Sequence, residues 1–405
     1  MASTATLESS AITWSSFTKG YFQNPYPHLA ACREHNPIHK GVIHNNWMFF
    51  RYDDVKKITK SNTSGVSDLR QYLEQVEKSV AFTGCPFLSK NVRKWPMYLN
   101  GEEHKIAQTL MAKSLNKLNI NEIIEKSLEQ TLSEFSNSAS LDLVEWVSNF
   151  PFYVTTNIMG IQGIPNEALK RYSNFVARSQ DMFVPKQVYV EMNDEFAKGE
   201  KWFSDLLSNP NKNKYIQSLI ELGKDNQFSH ADLTSILTIT FMAAYETSKD
   251  SLSIALYEIL KNQKLKEYVL EASDSEINVV VEEMFRFASP LQYTLRINLT
   301  PLTFGDIHID TYSKLIVCLA SANRDPSVFE APDEFNPERR HNPHLAFGNG
   351  MHTCLGAKIA RLEMRLALRP LIQKLKDYKI DDDYSPVYNK QIFMRTLESA
   401  IIKKK

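Results

Sequence analysis

The segment "FGNGMHTCLG", residues 347–356, sets three glycines, one histidine and one cysteine in ten residues of a chain with 13 Gly and 4 Cys. The residues that follow, "LGAKIARLEMRLALRPLIQKL", have helical periodicity, which places Cys354 just before or at a helix N-terminus. Backbone N–H groups and the helix dipole there lower a cysteine pKa from about 8.5 by up to several units, and flanking glycines let amides approach the sulfur. A thiolate so held is a nucleophile or a metal ligand; the plain alternative is a buried structural cysteine. A nucleophile needs a base and an orienting third group, and only His352 lies near in sequence. A heme ligand requires further features elsewhere in the chain.

Two other pairs stand out. Glu246 and Thr247 place an acid beside an alcohol in an apolar helical stretch, where unpaired polar groups are costly. Glu283 and Arg286 lie one helical turn apart among Val279, Val280, Val281, Met284 and Phe287. Such a pair is drawn into apolar surroundings, where removing one member costs roughly 3–5 kcal/mol.

The elements that must carry these groups are mainly helical. A chain of 405 residues buries roughly 75% of its unfolded surface, enough to enclose a bulky cofactor. In "INEIIEKSLEQTLSEF" the apolar residues fall on one stripe, and a long buried helix is predicted from Ser229, whose spacing to Asp232 is that of a capping box. Strand alternation is confined to short pieces, "LTFGDIHI" with a turn at Gly305-Asp306 and "KLIVCLA". With no repeat, low-complexity tract or linker, residues 1–405 read as one domain, mainly α with a minor β part. Lys+Arg and Asp+Glu balance at 47 each, giving no electrostatic case for nucleic acid or an anionic membrane. Cys32, Cys85, Cys318 and Cys354 form no CxxC pair, so neither a zinc site nor a disulfide framework is expected. The N-terminus lacks signal-peptide character and no run suits a transmembrane helix, so a cytoplasmic protein is expected.

"FGNGMHTCLG" resembles the heme-binding signature of the cytochrome P-450 family, and "MAAYETS", "EEMFR" and "ANRDPSVFEAPDEFNPERR" follow the family's order and spacing. The resemblance implies the family's fold, a triangular helical domain with a minor β-sheet region. It implies heme b (iron protoporphyrin IX) with Cys354 as axial metal ligand, Phe347 over the heme on the cysteine side, and Gly348, Gly350 and Gly356 permitting the loop. It implies a buried network of Glu283, Arg286 and Arg339, donors to the propionates in His104, Arg296 and His352, and a dioxygen-binding Thr247 with Glu246 relaying protons. The activity implied is monooxygenation: O2 and a small-molecule substrate, with electrons from a ferredoxin and an NAD(P)H-dependent ferredoxin reductase.

The chain departs from the family where Ala244 and Tyr245 replace a usual glycine and histidine, and where Gln108 replaces a propionate-binding arginine, with Tyr98 a substitute donor. Lys105, Lys113, Lys358, Arg361 and Arg365 are candidates for a ferredoxin-facing surface. Substrate-lining segments carried over by position are 65–98, 165–200, 237–247, 289–296 and 388–395. Ala243, Leu291, Ile392 and Phe393 are apolar pocket candidates, but Gln292, Tyr293, Thr294, Lys390, Gln391 and Arg395 add hydrogen-bonding capacity. The expected substrate is therefore compact and oxygenated, hydroxylated or O-demethylated as a methylated sugar or aryl ether. The alternatives are a heme-thiolate isomerase, dehydratase or peroxygenase, or a non-catalytic heme sensor.

Overall fold

Apolar side chains recurring every three to four residues make helices the dominant element. The structure, a computed structural model, describes residues 12–41, 46–61, 63–66, 91–182, 184–209 and 213–405. Cys85 and residues 67–90 of the expected substrate segment 65–98 lie outside the described residues. Six helices position the site: α1 (Gly101–Leu115), α2 (Asn166–Arg178), α3 (Lys186–Ser208), α4 (His230–Lys261), α5 (Asp274–Ala288) and α6 (Ala357–Lys374).

The start of α4 is fixed by the capping box read from sequence. Asp232 N–H donates to Ser229 Oγ at 3.2 Å and Ser229 N–H to Asp232 Oδ2 at 2.9 Å, satisfying two N-terminal donors. The helix then runs 32 residues and packs against α2, α3, α5 and α6, with Leu237, Phe241, Leu252 and Leu256 fully enclosed. One stripe breaks the enclosure. Thr240, Ala244 and Thr247 are half-buried and Ala243 is exposed, at the three- and four-residue spacing of a single helix face. The middle of the most enclosed helix therefore borders open space.

The minor β part is led by a five-stranded sheet of β1 (Ile38–Lys40), β2 (Trp47–Phe49), β3 (Ser64–Gly65), β4 (Tyr293–Asn298) and β5 (Lys314–Cys318), in the order β1-β2-β5-β4-β3. Pairing is antiparallel except between β2 and β5, and it sets Arg296 opposite Leu315 and Tyr293 opposite Cys318. The hairpin read at 302–309 forms, with strands Leu302–Phe304 and Ile307–Ile309 joined through Gly305 at φ 58°. The architecture is the mainly α one expected, with small sheets.

Candidate active site

The loop before α6 is drawn tight by its own backbone. Gly348 N–H donates to Leu345 O at 2.9 Å, Cys354 N–H to Phe347 O at 2.9 Å and Thr353 N–H to Gly350 O at 3.1 Å. Gly348 and Gly350 have φ of 67° and 78°, the left-handed region glycine favours. At Gly350 a Cβ would also stand 2.7 Å from Thr59 O and 2.9 Å from Lys60 Cα, so only glycine fits. Gly356, at φ −79°, is under no such demand, and its Cβ would lie 3.9 Å from Cys354 Sγ.

Among the described cysteines, Cys32 and Cys318 are fully buried, and burial pushes each thiol up to about 12. Cys354 is the accessible one. Although the residue keeps solvent access, the protein atoms packed around its sulfur raise its thiol too; the Gly356 amide, the Arg361 charge and the Ala357 amide pull it only part of the way back. This corrects the expectation of a depressed pKa. The helix-terminus argument is local, whereas desolvation sums over every atom around the sulfur. A thiolate is favoured here once a cation shares the site, because a coordinating thiol is deprotonated outright.

Beside the loop, three basic groups converge without an acid. His104 on α1 and His352 in the loop have ring centroids 4.2 Å apart. Arg296 on β4 donates through Nη1 to Thr294 Oγ1 at 2.9 Å and Leu295 O at 2.8 Å, with no carboxylate partner among the described residues. Burial lowers Arg296 to about 10. Burial and the Arg296 charge lower His104, and burial, Arg296 and His104 together push His352 down to about 3. His352 Nδ1 is buried without a hydrogen-bond partner. Such a cluster is complementary to a carboxylate-bearing ligand, which would reverse the repulsion and occupy the orphaned nitrogen. Heme b, with its two propionates, fits. Gln108 lies one turn along α1 from His104, half-buried, and Tyr98 stacks on Trp95 at 5.9 Å.

Glu283 and Arg286 on α5 are fully enclosed and Arg339 is 8% exposed. Arg286 donates to both Glu283 oxygens at 2.7 and 2.8 Å, and Arg339 Nε reaches them at 3.1 and 3.3 Å. Asn336 N–H at 2.8 Å and Asn342 Nδ2 at 3.1 Å complete the shell. Phe347 packs on Phe285 of the same helix at 4.6 Å, so the network and the cysteine loop share a support.

The acid and alcohol of α4 are not brought together. Thr247 lies on the open stripe, its hydroxyl donating back to Ala243 O at 2.7 Å, and α4 is helical without interruption past Ala244. Glu246 is buried on the flank and ion-paired with Lys249, which lies 3.6 Å from Asp250. Burial raises Asp250 to about 7 against the pull of Lys249, and its Oδ2 accepts from Thr396 Oγ1 at 2.8 Å. Lys249 and Asp250 were missed in the sequence, although their spacing to Glu246 inside an apolar helix is a legible signal.

Four of the six polar pocket candidates make hydrogen bonds within the protein, while Gln292 Oε1 and Gln391 Oε1 are buried without a partner. Tyr293 OH is 2.7 Å from Tyr21 OH, Gln292 Nε2 donates to Ser289 O at 2.7 Å, and Arg395 donates to Phe22 O at 3.1 Å and Gln23 O at 3.0 Å. Thr294 serves Arg296, while Ile392 and Phe393 are buried and Leu291 is half-buried. The amides of Ile392 and Phe393 are held by Asp181, at 3.1 and 3.3 Å from Oδ1, a tether between distant segments that no local pattern announces. Glu282, which precedes the buried network, pairs with Arg361 and His344. Burial works against its charge, but the hydrogen bonds from His344 and Arg361 prevail and hold it down at about 2. Arg361 keeps a partly exposed side chain, but its charge is compensated by Glu282.

The sequence model of the Cytochrome P-450 family matches residues 165–402. Among curated proteins, the polyketide biosynthesis cytochrome P-450 PksS of Bacillus subtilis is 27% identical, over 94% of this chain and 96% of its own. A cytochrome P-450 of Sulfurisphaera tokodaii is 28% identical, over 91% and 98%. Among solved structures, epothilone D-bound cytochrome P-450 epoK superposes with a TM-score of 0.84 at 22% identity, covering 97% of this chain and 99% of that one. P-450 BioI in complex with hexadec-9Z-enoic acid-ligated acyl carrier protein gives 0.81 at 23%, covering 95% and 100%. The chain belongs to the cytochrome P-450 family, the heme b-binding monooxygenases, and is an oxidoreductase of that family.

Proposed function

We propose that this monooxygenase works as one domain over residues 1–405, in which Cys354 would ligate the heme iron as a thiolate, Phe347 would pack beside the heme, and His104, Arg296 and His352 would donate to its propionates. The observation that carries the reading is the accessible cysteine in its tight loop beside an acid-free cluster of three basic side chains, in a molecule whose central helix opens one stripe to space. Heme b, when bound, supplies the redox chemistry that activates dioxygen. With heme bound, Thr247 would offer its hydroxyl to dioxygen in place of Ala243 O, and Asp250, beside the Glu246–Lys249 pair on the adjacent flank, is the group placed to hold a proton. Thr247→Ala is expected to divert reducing equivalents from product; unchanged coupling would remove Thr247 from proton delivery.

Electrons come from an acidic ferredoxin reduced by an NAD(P)H-dependent reductase. Lys113, Lys358 and Arg365 are exposed without carboxylate partners among the described residues and suit that face, whereas Arg361 is spent on Glu282 and Lys105 lies 3.6 Å from Glu102. Among the described residues, no helix is long and apolar enough to cross a membrane.

Tyr293, Thr294 and Arg395 are bonded within the protein, which removes three of the six polar side chains behind a compact methyl ether, while Gln292 and Gln391 each keep a buried Oε1 without a hydrogen-bond partner. On the open stripe of α4, Ala243 and Ala244 present methyl groups between Thr240 and Thr247, whose hydroxyls donate back to the helix carbonyls of Ile236 and Ala243. We therefore assign hydroxylation of a predominantly apolar substrate; the hexadec-9Z-enoic acid of the BioI complex is a molecule of that class. The test is a spin-state titration with long-chain fatty acids and polar methyl ethers, followed by turnover with a surrogate ferredoxin and reductase. A shift and product with the former support the assignment. A response to ethers alone contradicts the substrate class, and turnover without reductant contradicts the electron route.

A further inference from the structure

Glu282 and Glu283 are adjacent in sequence but about 100° apart around α5, and they serve different partners. Glu283 is closed off by Arg286 and Arg339. Glu282 faces the cysteine loop, where Arg361 Nε and Nη2 donate to its two oxygens at 2.6 and 2.8 Å and His344 Nε2 stands 3.0 Å from Oε2. A bidentate fork fixes the plane of a guanidinium as well as its position. So held, Arg361 lies over the Phe347 ring, 4.5 Å from its centroid. Phe347 is joined in turn to the cysteine, its carbonyl accepting Cys354 N–H at 2.9 Å. Arg361 also sits two turns along from Cys354 at the start of α6, close enough for its charge to act on the sulfur.

Charge beside a ligating thiolate alters how much electron density the sulfur donates, and so the potential of the iron. An arginine carrying a bidentate carboxylate acts as a largely compensated charge. Without the carboxylate its full positive charge faces the loop; without the arginine an unpaired carboxylate remains. We propose that Glu282 and Arg361 form an electrostatic trim on Cys354: Glu282 holds Arg361 against Phe347, and the balance of the two charges sets the donor strength of the thiolate and the heme's reduction potential. This rests on Cys354 being the axial ligand. Both are positioning residues, acting through Phe347 and Cys354.

The test is the ferric/ferrous midpoint potential of the heme-loaded protein, measured by dye-equilibrated titration for wild type, Glu282→Gln, Arg361→Gln and Arg361→Lys. Lys126→Gln, in the exposed Lys126–Glu122 pair, is the remote control. The potential is expected to rise in Glu282→Gln, to fall in Arg361→Gln, and to fall less in Arg361→Lys, which keeps the charge but loses the fork. Opposite signs are the decisive feature, since a purely structural role would move both neutral variants the same way. Same-sign shifts, or shifts no larger than that of Lys126→Gln, overturn the proposal. If Arg361→Gln retains no heme, the upward shift of Glu282→Gln decides alone. The wild-type reduced carbon monoxide spectrum separates the two claims: a red-shifted Soret band with flat potentials sinks the trim and leaves ligation standing. A band at the imidazole-ligated position overturns both.

Discussion

Replacing Glu283 by alanine removes the centre of the buried network on α5. Its carboxylate takes six contacts, two from Arg286, two from Arg339 and one each from the Asn336 amide and the Asn342 side chain. Alanine leaves two guanidinium groups, one of them fully enclosed, without their anion. Breaking a buried pair from one side costs about 3–5 kcal/mol, a large share of the roughly 5–15 kcal/mol that holds a typical protein folded. The damage reaches the cysteine loop, because Arg286 also binds the carbonyls of Asn323, Pro332 and Glu334 on the chain that leads to it. The assay is heme content, read as the ratio of Soret to protein absorbance, with melting temperature, for wild type, Glu283→Ala and Glu283→Gln. Little heme-loaded alanine variant is expected. Glutamine should be intermediate, since it keeps one acceptor oxygen but turns an NH2 toward arginine donors. An alanine variant with wild-type heme content and melting temperature would refute the reasoning.

Three further outcomes are expected. Glu363 on α6 is 4% exposed, and burial raises it to about 8 from an ordinary 4.5, partly offset by Ser248. A raised carboxyl contributes stability that is full below pH 4.5 and is lost as pH rises through 8. Glu363→Gln should therefore match wild type in melting near pH 4.5 and exceed it increasingly toward pH 8, by up to a few kcal/mol; a pH-independent difference would show that Glu363 titrates normally. Gly350→Ala, with φ 78° and backbone atoms under 3 Å from the new Cβ, should weaken heme retention much more than Gly356→Ala. Equal retention in the two variants would contradict the distinction. Lys266 Nζ donates to the carbonyls of Leu375, Lys376 and Tyr378 at 2.8, 2.6 and 2.9 Å, closing the C-terminal end of α6. Lys266→Met should lose about 1.5–3 kcal/mol, and an unchanged denaturation midpoint would count against that cap.

Features encoded within a few residues were legible in the sequence. The capping box at Ser229 and Asp232, the Gly305 hairpin and the one-turn spacing of Glu283 and Arg286 are each set by neighbours along the chain. The helix after Cys354 is legible for the same reason, but the direction of the thiol's shift is not. Helix-terminus polarity is local, while the desolvation that outweighs it comes from atoms that the fold packs around the sulfur. The side chains of Tyr293 and Arg395 read as pocket groups because their partners, Tyr21, Phe22 and Gln23, sit about 270 or more positions away, at the N-terminal end of the described chain. Arg361 read as a surface cation because a periodic stripe reports a helix face and not the carboxylate on the helix beside it. Asp181 and Lys266 belong to the same class, polar groups whose role is to bind backbone supplied by remote segments.

The central claim is thiolate ligation by Cys354, and the most direct measurement is the absorption spectrum of the purified, reduced protein under carbon monoxide. A strongly red-shifted Soret band is expected from wild type and should be lost in Cys354→His. A band at the imidazole-ligated position in wild type, or a red-shifted band surviving in Cys354→His, would contradict the assignment of Cys354 and of the site built around it.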